Sequence, residues 1–187
     1  MKQYLAALVL CALALALAPL SPAHADDMGI SPQATYELNK TDQSVLFIDV
    51  RDPVEIMFVG FADAVDQNIP FLLVDRSKWD AENDRFWLYQ NPDFATEVEA
   101  ALAARGLGKD AMIITMCRSG SERGEPSARF LRENGFPNAR YVIGGFQGDS
   151  LKEGDKKGMR IVNGWQNSGL PWQGKPNPDK IYRLDNR

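Results

Sequence analysis

Apolar and polar positions along the chain alternate between compact apolar runs and amphipathic stretches. Val45-Leu46-Phe47-Ile48-Asp49-Val50 is nearly continuous in apolar residues, which predicts a parallel strand buried on both faces. Met112 to Met116 is a second such run, with Ile113, Ile114 and Thr115 supplying β-branched residues. Arg140-Tyr141-Val142-Ile143 predicts a third strand, and a short one is expected at about Asp63 to Asp66. Between them the period changes to that of helices. Ser31-Pro32 starts a helix near Gln33 to Leu38, with serine as cap and proline in the first turn. Asn91-Pro92 starts another, with Phe94, Val98, Ala101 and Leu102 on one face and Gly106 as its stop. Pro126 opens a third, which ends at Gly135, and Trp165 to Leu170 predicts a last short one. Strand and helix in alternation predict an α/β fold: a mostly parallel five-stranded sheet with helices on both faces.

Three stretches do not fit this alternation. Ser77 to Pro92 carries Trp79, Phe86, Trp87 and Tyr89 among polar residues. These aromatics either line a substrate mouth or, the preferred reading, pin a long connection onto the core. Asp149 to Asn163, with Lys152, Gly154, Lys156, Lys157 and Gly158, reads as an exposed excursion serving as a lid, a partner site or a solvated loop. Residues 174–187 form a charged, proline-bearing tail, packed by Ile181, Tyr182 and Leu184.

The first 25 residues stand apart. Lys2, the apolar run Leu5 to Leu17 and Ala23-His24-Ala25 have the form of a secretory signal cut before Asp26. The expected destination is a periplasm or the exterior, with no stable membrane insertion after cleavage. Cleavage removes Cys11 and His24 and leaves a domain at 26–173 whose only cysteine is Cys117. A Cys-His or Ser-His pair and a Cys/His zinc site are then excluded within the chain, and no metal or cofactor is expected. Only Lys2 of the 21 basic residues goes with the leader, so about 20 face 25 acidic ones. Such a domain is a poor nucleic-acid binder.

Cys117 sits between the predicted strand Met112–Met116 and the helix opened by Pro126. Its neighbours Arg118, Ser119, Gly120, Ser121, Glu122 and Arg123 are not core company. Loop N–H groups and a helix N-terminus there stabilise an anion, and a thiolate among anions. Asp49, Arg51, Asp52 and Glu55 follow the first strand at the same carboxyl edge, where open α/β sheets bind ligands. Asp49 and Arg51 are read as supporting the site, and Asp52 and Glu55 as a capping and ion-pair network.

With these residues in place, the chain resembles the rhodanese superfamily. The resemblance rests on Asp49-Val50-Arg51-Asp52-Pro53-Val54-Glu55, Ala64 to Pro70, Cys117-Arg118-Ser119-Gly120, Tyr141 to Gly148 and Trp165 to Pro171. It runs from about Ile30 to Trp172. It implies that Cys117 takes a sulfane sulfur from thiosulfate or a similar donor and passes it, as a persulfide, to a thiol or cyanide. The N–H groups from about Arg118 to Arg123 would hold the anion, with Arg118 and Arg123 binding the donor. Arg123 is the seventh residue of the loop, giving Cys-x5-Arg, which is similar to the cell-cycle dual-specificity phosphatases and the arsenate reductases of the superfamily. Three functions therefore stay open: a sulfurtransferase, a sulfur carrier or binding subunit with a periplasmic protein partner, and a phosphatase or arsenate-reductase-like enzyme.

Overall fold

The computed structural model describes residues 28–186, so the expected leader and its expected cleavage site lie outside the described residues. Five strands form one parallel sheet: β1 (Gly29–Ile30), β2 (Val45–Asp49), β3 (Gln67–Asn68), β6 (Met112–Met116) and β7 (Ala139–Val142). Their order is β1-β7-β6-β2-β3, and all five residues of β2 pair with β6. Successive side chains of a strand point to opposite faces. Leu46, Ile48 and Ile113 accordingly enter one core, while Val45, Phe47, Ile114 and Met116 enter the other.

Helices α3 (Phe94–Ala104) and α4 (Gly124–Glu133) cover the first face, through Phe94, Val98, Leu102, Ala128 and Leu131. Helices α1 (Pro32–Thr41) and α2 (Pro53–Val59) cover the second, together with Trp165. The expected sheet with helices on both faces is the fold observed. Ser31 caps α1 by accepting from the Ala34 N–H, and Asp52 caps α2 by accepting from the Val54 N–H. Each is followed by proline in the first turn. Trp165 is fully buried; its indole donates to the Pro171 carbonyl at 2.9 Å and its ring meets Phe47 and Tyr36. No helix among the described residues is long and apolar enough to cross a membrane.

Four expectations are corrected. The short strand is not at Asp63 to Asp66 but at Gln67–Asn68. Asp66 instead turns its carboxylate to the Phe47 N–H and to Arg105, which closes the strand end with a side chain. Residues 77–92 are not a pinned connection. They belong to an antiparallel hairpin, β4 (Leu72–Asp80) and β5 (Arg85–Gln90), which forms a separate two-stranded sheet. A register shift between Asp75 and Trp79 breaks the alternation that would have revealed it. Its aromatics lie half exposed instead of being spent on the core. Trp165 to Leu170 holds only a 3-10 turn at Gln166–Ser168, ended by Gly169 with φ of +71°. In the tail, Ile181 packs against the core but Leu184 does not, being 76% exposed.

Candidate active site

The site is built where β2 and β6, neighbours in the sheet, end side by side. Cys117 follows β6 directly, and residues 118–123 lead into α4. Cys117 is fully buried, and its Sγ accepts from the Gly120 N–H at 3.2 Å. Gly124, the first residue of α4, packs so close that a Cβ there would lie 3.3 Å from the sulfur. Its carbonyl is held by Thr115 and Ser127 hydroxyls at 3.0 and 2.8 Å. The N–H groups of Ser119, Ser121, Glu122 and Arg123 have no acceptor among the described residues. A loop with unpaired N–H donors at a helix N-terminus is an anion cradle.

The loop is fixed from behind by residues 144–148. Phe146 and Gln147 N–H groups donate to the Cys117 and Arg118 carbonyls at 2.7 and 2.8 Å. Gly145 has φ of +54°, and a Cβ there would stand 2.3 Å from the Cys117 carbonyl oxygen. Only glycine lets the two backbones approach this closely. Gly145→Ala is expected to cost about 2–4 kcal/mol, combining left-handed strain with backbone displacement. Thermal unfolding reads this directly, and an unchanged midpoint would show that the two segments are not so tightly apposed.

Arg123 is 7% exposed and pairs with Glu55 through both its terminal nitrogens, at 2.7 and 3.3 Å. Burial alone would disfavour its charge, but Glu55, Cys117 and Glu122 outweigh it and raise its pKa above the ordinary arginine value. Arg118 is displaced the other way. Burial first, then the neighbouring Arg160 and further arginines, lower its pKa, against a smaller opposing effect of Glu55. Arg118 Nε donates to the Gln147 side-chain oxygen at 2.7 Å, and Arg160 reaches the Gly148 carbonyl. Neither has a carboxylate partner among the described residues. Two guanidiniums held near one another, each satisfied only by neutral acceptors, form a place for an anion.

A cleft of about 530 Å³ opens over this loop. Arg118, Ser119, Glu122 and Arg123 form one side, and Glu55 and Asp52 come from the start of α2. Arg160 enters from the excursion, whose ends are tied by Asn163 to Asp149 in both directions, at 2.8 and 2.9 Å. The hairpin lines the cleft with Leu72, Val74, Arg76, Phe86 and Leu88 and with Arg85, which is paired with Glu122. Of the hairpin aromatics, Phe86 lines the cleft.

The sequence-identified residues are thus brought together in part. Arg118 to Arg123 all surround the loop, with Gly120 holding the sulfur and Arg118, Ser119, Glu122 and Arg123 facing the cleft. Cys117 lies beneath the loop, not in the cleft wall. Asp49 and Arg51 form a fully buried ion pair below the site, where Arg51 also donates to the Gly60 carbonyl and lies 4.2 Å over the Phe146 ring. They support β2 and the 144–148 segment and do not touch the cleft. Glu55, Arg160 and the hairpin wall were not among the site residues read from sequence. Glu55 had a signal in its spacing from Asp52; Phe86 and the excursion that carries Arg160 offered a substrate mouth and a lid among their readings, but no spacing tied them to Cys117, because they converge only in three dimensions.

No curated protein matches the chain. Among solved structures, Rv0390 from M. tuberculosis is 25% identical, with a TM-score of 0.55, covering 78% of this chain and 96% of that one. The polysulfide-sulfur transferase homodimer from Wolinella succinogenes is 23% identical, with a TM-score of 0.44, over 78% and 77% of the two chains. A rhodanese-related protein from Thermoplasma volcanium is 20% identical, with a TM-score of 0.43, over 79% and 98%. The family model of the rhodanese-like domain matches residues 31–151, from the cap of α1 through the loop around Cys117 to the 144–148 segment, and the chain belongs to that family.

Proposed function

We propose that the protein is a sulfurtransferase that carries a sulfane sulfur on Cys117. The observation that carries this reading is Cys117 at the end of β6, in a loop whose Ser119, Ser121, Glu122 and Arg123 N–H groups, like the nearby guanidiniums of Arg118 and Arg160, have no carboxylate partner among the described residues. A thiolate there attacks the outer sulfur of thiosulfate. The new S–S bond forms as the donor's S–S bond breaks, and its electron pair leaves with sulfite. A thiol or cyanide then takes the outer sulfur, and the Cys117 thiolate returns. No proton transfer by a general base is needed, which suits a chain whose one histidine, His24, lies in the leader. Because Sγ is buried, residues 118–123 shift to let the donor reach it. The leader, read as an export signal, assigns this chemistry to the periplasm or exterior.

Intact mass tests the reading. Thiosulfate should add one sulfur, about 32 Da, at Cys117, and cyanide should remove it as thiocyanate. No adduct on a free thiol would overturn it. A sulfurated protein that no acceptor discharges catalytically would instead be a carrier. The loop length favours one further reading: a seven-residue ring of N–H groups also fits a tetrahedral oxyanion, and phosphatase turnover in place of the adduct would select it.

Arg160→Ala should lower kcat/KM for thiosulfate about 10–100-fold, chiefly through KM. Stability should hold or rise slightly, since one of two neighbouring like charges is removed. Steady-state kinetics with thermal unfolding check this; an unchanged KM would remove Arg160 from donor binding.

A further inference from the structure

The cleft has a wall for which an inorganic donor has no use. Leu72 and Val74 of β4 and Phe86 and Leu88 of β5 line it, with Val54 beside them. Val74 and Leu88 are directly paired across the hairpin, so the middle of this ribbon turns an apolar patch to the cleft, flanked by Arg76 and Arg85 of the same hairpin. Trp79 packs edge-on against Phe86, ring centroids 5.5 Å apart, and holds it in place. Arg118 and Arg160 line the same cleft, near one another. An apolar patch and several cations sharing one cleft of about 530 Å³ are the form of a site for an organic anion. Thiosulfate is a small, strongly hydrated dianion and would leave this wall uncovered.

Building on the sulfurtransferase reading, we propose that hairpin 72–90 is the specificity element of the site. It selects a donor whose anionic sulfane-sulfur group is carried on an apolar body. Organic thiosulfonates, R–SO2–S⁻, have this chemistry. The arginines favour such a donor over an apolar thiol acceptor, because the charge persists on the leaving group. The Cys117 thiolate attacks the outer sulfur, and a Cys117–S bond forms as the bond to the sulfonyl sulfur breaks. The electron pair leaves with the sulfinate, R–SO2⁻. The cysteine sulfur is oxidised to the persulfide level and the donor is reduced to sulfinate, with no proton or external oxidant required.

The test compares benzenethiosulfonate with methanethiosulfonate, which share the reacting group and differ in the apolar body. Sulfur loading of Cys117 is followed by intact mass, each rate divided by that of the same donor with 2-mercaptoethanol in solution. The proposal expects a preference of at least about tenfold for the aromatic donor. The preference should fall at least about fivefold in both Leu88→Ala and Phe86→Ala. The ratio is internal to each preparation, so partial misfolding does not distort it, and half-exposed Phe86 can be truncated even if Leu88 cannot. Equal rates for the two donors, or a preference unchanged in the variants, overturn the inference and leave the sulfurtransferase reading standing. Loading by neither donor nor by thiosulfate defeats both.

Discussion

Cys117→Ser is expected to abolish sulfur uptake and to reduce thiosulfate-to-cyanide transfer to background, a loss of at least about a thousandfold. Serine cannot form a persulfide, and its hydroxyl would need a base to become a nucleophile. The carboxylates that line the cleft, Asp52, Glu55 and Glu122, are engaged: Asp52 caps α2, Glu55 pairs with Arg123, and Glu122 pairs with Arg85. The fold should survive, because the substituted hydroxyl can still accept from the Gly120 N–H that Sγ accepts from now. The measurement is paired: intact mass after thiosulfate, and thiocyanate release under turnover. Residual turnover in a folded Cys117→Ser protein would remove the persulfide from the mechanism. The same variant would inactivate a phosphatase as well, so it identifies the nucleophile, and the wild-type mass gain identifies the chemistry.

Cys117 and its loop could be read in the chain because the information is contiguous. A buried strand, a cysteine among arginines and glycines, and a helix start follow one another from Met112 to Pro126. The parallel sheet was legible for a related reason. Strands covered on both faces are apolar throughout, and Val45 to Ile48 and Met112 to Met116 contain no alternation to misread. The hairpin was not legible. Residues 76–78 fall in its register shift, so Trp79 joins Phe86 instead of continuing the alternation of Leu73 and Asp75. Its turn is made without glycine, with Asp84 at φ of +52° and Asn83 bonded to Asp80. A pattern broken in both strand and turn offers no hairpin signal. The same limit applies to Arg160. In sequence it is one cation in a polar excursion, and only the closure of that excursion by Asn163 on Asp149 brings it over the loop.

Asp49→Asn is expected to cost about 3–5 kcal/mol of stability, although it lies outside the cleft. Asp49 and Arg51 are both fully buried, with Arg51 Nε at 2.9 Å and a terminal nitrogen at 2.5 Å from the carboxylate oxygens. The other terminal nitrogen of Arg51 already has no acceptor among the described residues. Asparagine keeps the shape but removes the countercharge, so a guanidinium is left in the interior with only neutral acceptors, the new amide oxygen and the Gly60 carbonyl, and the Phe146 ring to face it. An uncompensated buried charge costs more than the pair contributed. At about 2–4 °C per kcal/mol for a domain of this size, the midpoint should fall by roughly 6–20 °C. The double variant Asp49→Asn with Arg51→Met should recover a large part of that loss, because it removes the stranded charge while filling most of its volume. Thermal unfolding of the two singles and the double closes the cycle. Additive losses would show that Asp49 acts through the backbone of β2 and not through its charge. The same cycle followed by sulfur loading would reveal whether the pair also sets the loop, since Arg51 and the Cys117 carbonyl are joined through Phe146.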